Sequence, residues 1–151
     1  MDLVERLNAF PNLLRQEVAG IPQAATARPA DGSWSINDVL GHLCDHARFL
    51  HQRLSMIIHL EEPRLASYDQ EALALERNAP SASMDDLLSE FSERRGTTVE
   101  MLSELVHWNW ARTGRHEELG RISIRQIVDR AVAHDENHLE QIRALKEPTA
   151  P

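Results

Sequence analysis

The chain has 151 residues, 42% of them hydrophobic and 26% charged, and its formal net charge is -8. These values are typical of a soluble globular protein with a sizeable core, so we expect one domain over residues 1–151 and not a disordered chain. The basic residues are dispersed along an acidic chain that phosphate backbones would repel, which excludes nucleic acid as an expected partner.

The first residues, MDLVERLNAFPNLL, lack the basic stretch and the continuous apolar run of a signal peptide. No segment reaches the ~18 uninterrupted apolar residues that a membrane span needs, so no membrane association is expected. Cys44 is the single cysteine and cannot form an intrachain disulfide. Together these features predict a cytoplasmic protein.

Apolar residues recur at helical spacing in four long segments of the chain. The first predicted helix covers residues 2–18, where Pro11 would kink it or split it. A loop rich in glycine and proline follows over residues 20–32. Ser35 and Asp38 then have the spacing of a capping box, which predicts the start of a second long helix.

Caps and breakers also mark the remaining helices. Ser83 with Asp86, and Ser123 with Gln126, have the spacing of helix N-caps. The predicted elements are the end of the second helix near residue 60, a short helical turn at 69–76, a third long helix from Ser83, a connection over 108–120, and a fourth long helix from Ser123 to about Lys146. Four long amphipathic helices with almost no β-alternation predict an all-α four-helix bundle.

Two pairs of histidines, His42 with His46 and His134 with His138, are each spaced four residues apart. Residues at this spacing lie on one face of a helix, so each pair can direct two imidazoles at one point. Imidazole is the commonest neutral metal ligand, and helix bundles often hold metals between facing helices. The spacing therefore indicates a metal centre, although such pairs also arise by chance in a chain with eight histidines.

The two pairs differ in their positions relative to the apolar faces of their helices. At about 100° per residue, His134 and His138 lie inside or at the rim of the predicted buried face. Asp135 lies near the centre of that face, so its carboxylate needs a partner, such as an imidazole network. On the second helix His46 lies nearer the core than His42, and geometry alone favours His46 as a ligand. Asp45 points away and is expected to be solvated.

Four segments, in the expected order, resemble the DinB-like superfamily of damage-inducible-type proteins. They are Trp34-Ser35-Ile36, Leu40-Gly41-His42-Leu43, Arg112 to Gly120, and His134-Asp135 with His138-Leu139-Glu140-Gln141-Ile142. The similarity covers nearly the whole chain. It implies an up-up-down-down four-helix bundle and a relation to bacillithiol- and mycothiol-dependent S-transferases.

The resemblance also implies a metal held by three histidines, one from the second helix and two from the last. Carried over to this chain, the ligands are His42, His134 and His138. His46 is a nearby alternative, and Asp135 is an acceptor that would orient an imidazole. The expected cofactor is a divalent ion, with zinc as first choice and nickel as second, because imidazole suits both.

Three histidines leave a coordination position open, which is the arrangement of a catalytic site. The resemblance implies a metal-dependent thiol S-transferase that uses a low-molecular-weight thiol and a small electrophile. A non-catalytic metal-binding or stress-response protein, a metal-dependent hydrolase and a homodimeric assembly all stay open. Arg112, Arg115 and His116 are weak candidates for binding an anionic substrate, and a solvated loop is the favoured explanation of these residues.

Overall fold

The computed structural model of the chain describes residues 2–22 and 26–147. Its helices are α1 (Leu3–Val18), α2 (Ile36–His59), α3 (Gln70–Arg77), α4 (Met84–Ser103) and α5 (Ile124–Lys146). Its strands are β1 (Arg64–Leu65), β2 (Thr113–His116) and β3 (Gly120–Ser123), and single 3-10 turns cover Ala79–Ser81 and His107–Ala111. The four long helices form the predicted four-helix bundle. No helix in the described part of the chain is long and apolar enough to cross a membrane.

The predicted helix starts are confirmed by their capping hydrogen bonds. The Ser35 hydroxyl accepts from the backbone N–H of Asp38, and the Asp38 carboxylate accepts in return from the Ser35 N–H. Ser123 and Gln126 form the same reciprocal pair at the start of α5. These bonds satisfy N–H groups that the first turn of a helix leaves without partners. The two helices that carry the paired histidines therefore begin at positions fixed by the local sequence.

Helices α1 and α5 run in the same direction. Lys146, at the end of α5, donates to the carbonyl of Glu17 near the end of α1, at 2.6 Å. Earlier along the same two helices, Arg6 near the start of α1 pairs with Glu136 in the middle of α5. Both helices therefore end at the same end of the bundle.

Helices α2 and α4 are also parallel to each other, and they run opposite to α1 and α5. The Cys44 thiol contacts the carbonyl of Leu87 near the start of α4, and His51 bonds Thr98 further along it. Side-chain contacts place α4 antiparallel to α1 and α2 antiparallel to α5. The order of directions is thus up-down-down-up and not the expected up-up-down-down. The loop after α1 reverses the chain, whereas the long crossover through α3 returns it to the end where α2 began.

Helix α1 is continuous through Pro11 and is not split there. Proline lacks an N–H, so the carbonyl of Leu7, four residues earlier, loses its helical partner. Arg95 from α4 donates its Nη1 to that carbonyl at 3.2 Å. A buried side chain of a neighbouring helix therefore replaces the hydrogen bond that the proline removes.

The connection between α4 and α5 contains a small sheet that the sequence interpretation missed. Strands β2 and β3 pair in antiparallel fashion, and β1, from the crossover after α2, adds in parallel to β2. Gly114 lies against α2, where a Cβ atom would come within 3.1 Å of the side chains of Ile57 and Leu65. Strands of two and four residues carry too little alternation to be recognised by pattern. The sheet lies beside the end of α2 and the start of α5.

The buried positions include two that test expectations from the sequence. Cys44 is fully buried among apolar residues, as expected of a small core residue. Asp45, expected to be solvated, is only 5% exposed. Arg77 at the end of α3 covers it and donates Nη2 to its carboxylate at 2.7 Å. The helical wheel of α2 alone could not show that α3 packs over this face.

Candidate metal centre

Three imidazoles converge between α2 and α5 in the middle of the bundle. The Nε2 atom of His134 lies 3.0 Å from Nε2 of His42 and 3.2 Å from Nε2 of His138. One ring nitrogen from each histidine falls within 4.8 Å of the other two. The structure thus brings together the three residues that the family resemblance implied as ligands.

Hydrogen bonding alone does not explain this convergence. The Nε2 atom of an imidazole carries either one proton or one lone pair in the ring plane, so it cannot make good hydrogen bonds to two neighbours at once. Nitrogen ligands about 2.0–2.1 Å from a tetrahedral ion are ~3.4 Å apart. The observed contacts of His134, at 3.0 and 3.2 Å, are close to that separation. The three side chains therefore fit a divalent metal ion.

The histidines are held in the neutral form that binds a metal. Burial, reinforced by the neighbouring histidines, lowers the pKa of His42 to about 4 and that of His134 to about 3. Burial also lowers the pKa of His138. Removing an imidazolium from water is unfavourable, and the three rings would repel one another if charged. At neutral pH their lone pairs are free to coordinate.

A glutamine fixes the tautomer of one ring. Nδ1 of His138 donates to Oε1 of Gln141 at 2.8 Å, so its proton resides on Nδ1 and the lone pair on Nε2. Supporting hydrogen bonds of this kind orient metal-ligating histidines and raise their basicity. Sequence reasoning did not assign Gln141 a role, although its position three residues after His138 on one helix face was a usable signal.

His46 lies beside the cluster but is not part of it. Its ring stacks on that of His134, with centroids 3.8 Å apart and an interplanar angle of 17°. Burial lowers its pKa well below the ordinary value. The buried Nδ1 atoms of His46 and His134 have no hydrogen-bond partner within the described residues. His42, which the helical wheel placed further from the core than His46, is itself buried, with 4% exposure, and its Nε2 atom contacts that of His134. The preference for His46 from the helical wheel therefore does not match the convergence of nitrogens in the structure.

Asp135 is bound by an arginine and not by an imidazole. Its Oδ2 and Oδ1 atoms accept from Nη1 and Nη2 of Arg95, at 2.7 and 2.9 Å. This corrects the expectation that the Asp135 carboxylate directly orients a histidine. The partner required by its buried position is instead a guanidinium from α4. Arg95 was detectable in the sequence, because it continues the helical stripe of Phe91, Thr98 and Leu102.

A pocket of about 530 Å³ opens beside the cluster and is lined by His134 and by the neighbouring His46. Arg53 from α2, Arg130 from α5 and His116 from β2 also line it. This volume is in the range of small-molecule binding sites. Of the three anion-binding candidates predicted from the sequence, His116 lines this pocket. The sequence analysis did not identify Arg53 or Arg130.

The other two anion-binding candidates serve the fold. Arg112 donates to the carbonyls of Ile57 and Leu60 at the end of α2, at 2.9 and 3.0 Å. Arg115 is mostly exposed and lies 3.9 Å from the carboxylate of Glu62. Neither side chain lines the pocket beside the histidines.

Comparison with known proteins decides the family. The sequence profile of the DinB superfamily matches residues 6–142. The chain belongs to the DinB superfamily. The solved structure of YfiT from Bacillus subtilis, described as a probable metal-dependent hydrolase with an unusual four-helix bundle topology, superposes with a TM-score of 0.87. The match covers 95% of this chain and 83% of YfiT at 23% identity, so YfiT shares the fold.

Two further relatives come from Oceanobacillus iheyensis. OB0413 is 24% identical over 143 residues, covering 93% of this chain and 81% of its own length. OB0782 is 26% identical over 145 residues, covering 94% of this chain and 83% of its own length. Both are provisionally named metal-dependent hydrolases. The three-histidine cluster of this DinB protein is compatible with the metal dependence in those names.

Proposed function

We propose that this DinB protein is a cytoplasmic, metal-dependent thiol S-transferase that joins a low-molecular-weight thiol to a small electrophile. The observation that carries the proposal is the convergence of three neutral Nε2 atoms beside an open pocket. His42, His134 and His138 would hold the ion. Zinc is the first choice and nickel the second, since imidazole ligands suit both.

The donor set supports a reactive site over a closed structural one. Three neutral imidazoles leave a divalent ion its full charge and an open position, whereas closed structural zinc sites use four protein ligands. A bound ion would lower the pKa of a thiol or water in the open position, making either nucleophilic at neutral pH. Gln141 keeps the lone pair of His138 directed at the centre.

The reaction balances without a further reactant. The thiol gives up its proton to solvent, its sulfur forms a bond to the electrophilic carbon, and the bond from that carbon to the leaving group breaks. The leaving group takes the electron pair, and an opened epoxide oxygen takes up a proton. The pocket beside His134 provides room for both reactants.

Metal-dependent hydrolysis is the second candidate, favoured by the names of the relatives. A water molecule would replace the thiol and would need a general base nearby. Asp135 follows the first histidine of the HxxxH pair, but Arg95 occupies both of its oxygens. The Asp135 carboxylate is therefore not available as a general base for water. This favours a thiol as the nucleophile, because a thiol loses its proton more readily than water does.

A direct test uses untagged protein loaded with zinc or nickel and incubated with monochlorobimane and a panel of thiols. We expect a metal-dependent rate of conjugation with at least one thiol, which is lost in metal-free protein and in His138→Ala. Turnover of esters or amides without thiol would support the hydrolase. If the loaded protein binds one ion per chain and accelerates neither reaction, it is a non-catalytic metal-binding protein and the proposal is wrong.

A further inference from the structure

We propose that the part of the pocket around Arg53 and Arg130 is a binding subsite for a carboxylate group, so the substrate of this protein is a small anion. The proposal rests on the proposed function, because it assigns the substrate class of the same pocket. We call these residues the basic subsite, which consists of Arg53, Arg130 and His116. All three line the cavity that also reaches His134.

The charge of the pocket is opposite to that of the protein. The chain carries a net charge of -8, and most of its partly buried arginines are paired with carboxylates. Within the described residues, neither Arg53 nor Arg130 lies within 4.0 Å of a carboxylate. Glu118 is the acidic side chain on the pocket wall, so the lining keeps an excess of positive charge.

Two contacts hold the Arg53 guanidinium in place, and most of its N–H donors are not used by them. Its Nη2 atom donates to the carbonyl of Ala66 at 2.7 Å, and its guanidinium lies 5.4 Å from the ring centroid of Tyr68. A guanidinium has five N–H donors, and its fork matches a carboxylate. Partial burial lowers the pKa of Arg53, and the opposing effects of Tyr68 and Glu118 are smaller.

His116 adds a neutral donor to the same wall. Its Nδ1 atom accepts from the backbone N–H groups of Glu118 and Leu119, at 3.1 and 3.2 Å. The proton of the neutral ring must therefore be on Nε2. Two guanidinium groups and an N–H donor around one cavity are the donor set expected for a carboxylate, because charge-assisted hydrogen bonds are the strong ones.

The position of the basic subsite limits the substrate further. The cavity of about 530 Å³ is lined both by His134, one of the three converging histidines, and by the two arginines. A small molecule that fills it can present a reacting group to the centre and a carboxylate to Arg53 and Arg130. A thiol with one or two carboxylates fits this arrangement better than a neutral thiol.

The test measures binding of succinate, a dicarboxylate without a thiol, to metal-free protein by isothermal titration calorimetry. We expect Arg53→Met and Arg130→Met each to weaken binding by about tenfold or more, the equivalent of one charge-assisted hydrogen bond. Arg125→Met is the matched control, because Arg125 lies on the same helix but packs over Trp110 outside the pocket. It should bind succinate as the wild type does.

A second measurement connects the subsite to turnover. With metal-loaded protein and monochlorobimane, both arginine variants should raise KM for mercaptosuccinate about tenfold or more and leave KM for mercaptoethanol unchanged. Equal succinate affinity in the wild type and both pocket variants would overturn the basic subsite. If no thiol reacts, but succinate binding is still lost in Arg53→Met, the transferase proposal fails and the subsite stands.

Discussion

Arg95 on α4 and Asp135 on α5 form a doubly hydrogen-bonded ion pair with N–O distances of 2.7 and 2.9 Å. The two residues are 1% and 2% exposed. Arg95 also caps the Leu7 carbonyl that Pro11 leaves free, and its guanidinium lies over the ring of Phe91. The pair therefore ties three of the four long helices together at the turn of α5 that carries the HxxxH histidines.

We expect the loss of one member of this pair to lower the free energy of unfolding more than the replacement of both members by apolar residues. Arg95→Met or Asp135→Leu alone leaves one buried charge without its partner, and each should lower the free energy of unfolding by about 3–5 kcal/mol. The double variant removes both charges and should recover the part of that loss that the unpaired charge causes, although the Leu7 carbonyl stays without its donor. Urea unfolding of metal-free protein measures all three. Additive losses in the double variant would show that the charges are not coupled.

The two histidines of the pair on α2, His42 and His46, should differ in their effect on metal binding. His42→Ala removes one of the three converging nitrogens. Its loss of zinc affinity should exceed the roughly 10- to 100-fold typical of a residue that only supports a ligand. His46→Ala removes a stacked ring and should stay within that range or below it. Competition titration with a zinc chelator measures both.

The exposed His59 supplies a neutral control, because its ring bonds the carbonyl of Ser55 on the outer face of α2. His59→Ala should bind zinc as the wild type does. The assignment of ligands would be reversed if His46→Ala lost zinc more completely than His42→Ala.

How far the sequence predicts this molecule depends on the range of the interactions involved. The cap of α2 at Ser35 and the helical spacing of His134 and His138 are local, so both could be read from the chain. The need of Asp135 for a partner was also visible, but its partner is 40 residues away on another helix. The direction of the helices and the small sheet depend on how the long connections pack. Arg53 and Arg130 share a pocket for the same reason, and no local pattern marks them.

Metal-free protein should lose stability as the pH falls below neutral. The folded-state pKa values of His42 and His134 are about 4 and about 3, below the ordinary value of 6.5. At pH values between the ordinary pKa of 6.5 and these folded-state pKa values, the unfolded chain binds protons that the folded protein does not, so acidification favours unfolding. The stabilisation is fully present above pH 6.5 and declines toward the folded-state values. Each histidine contributes at most about 1.4 kcal/mol per pH unit.

Urea unfolding of metal-free protein at several pH values from 5 to 7 measures this slope. His42→Asn removes one titrating group from the cluster. Its unfolding free energy should therefore depend less steeply on pH than that of the wild type. An unchanged slope in His42→Asn would show that His42 is not held neutral by its surroundings.

Two glycines in long helices should respond in opposite ways to the same substitution. A Cβ on Gly41 would lie 2.6 Å from Cδ of Arg77 and 3.0 Å from Cβ of Ala79. Gly41→Ala must therefore shift the side chain of Arg77, which donates to the buried carboxylate of Asp45. We expect a loss of about 1–3 kcal/mol in the free energy of unfolding, because overpacking and a weakened buried ion pair both destabilise the fold.

Gly96 is the matched control, since it is exposed on α4 and a Cβ there would have no atom within 4 Å. Gly96→Ala should raise the free energy of unfolding by about 0.5–1 kcal/mol, because alanine loses less backbone entropy in a helix. Thermal and urea unfolding of both variants measure the difference. If Gly41→Ala were as stable as Gly96→Ala, the close packing of α3 against α2 would not require a glycine, and Arg77 would be free to shift without releasing Asp45.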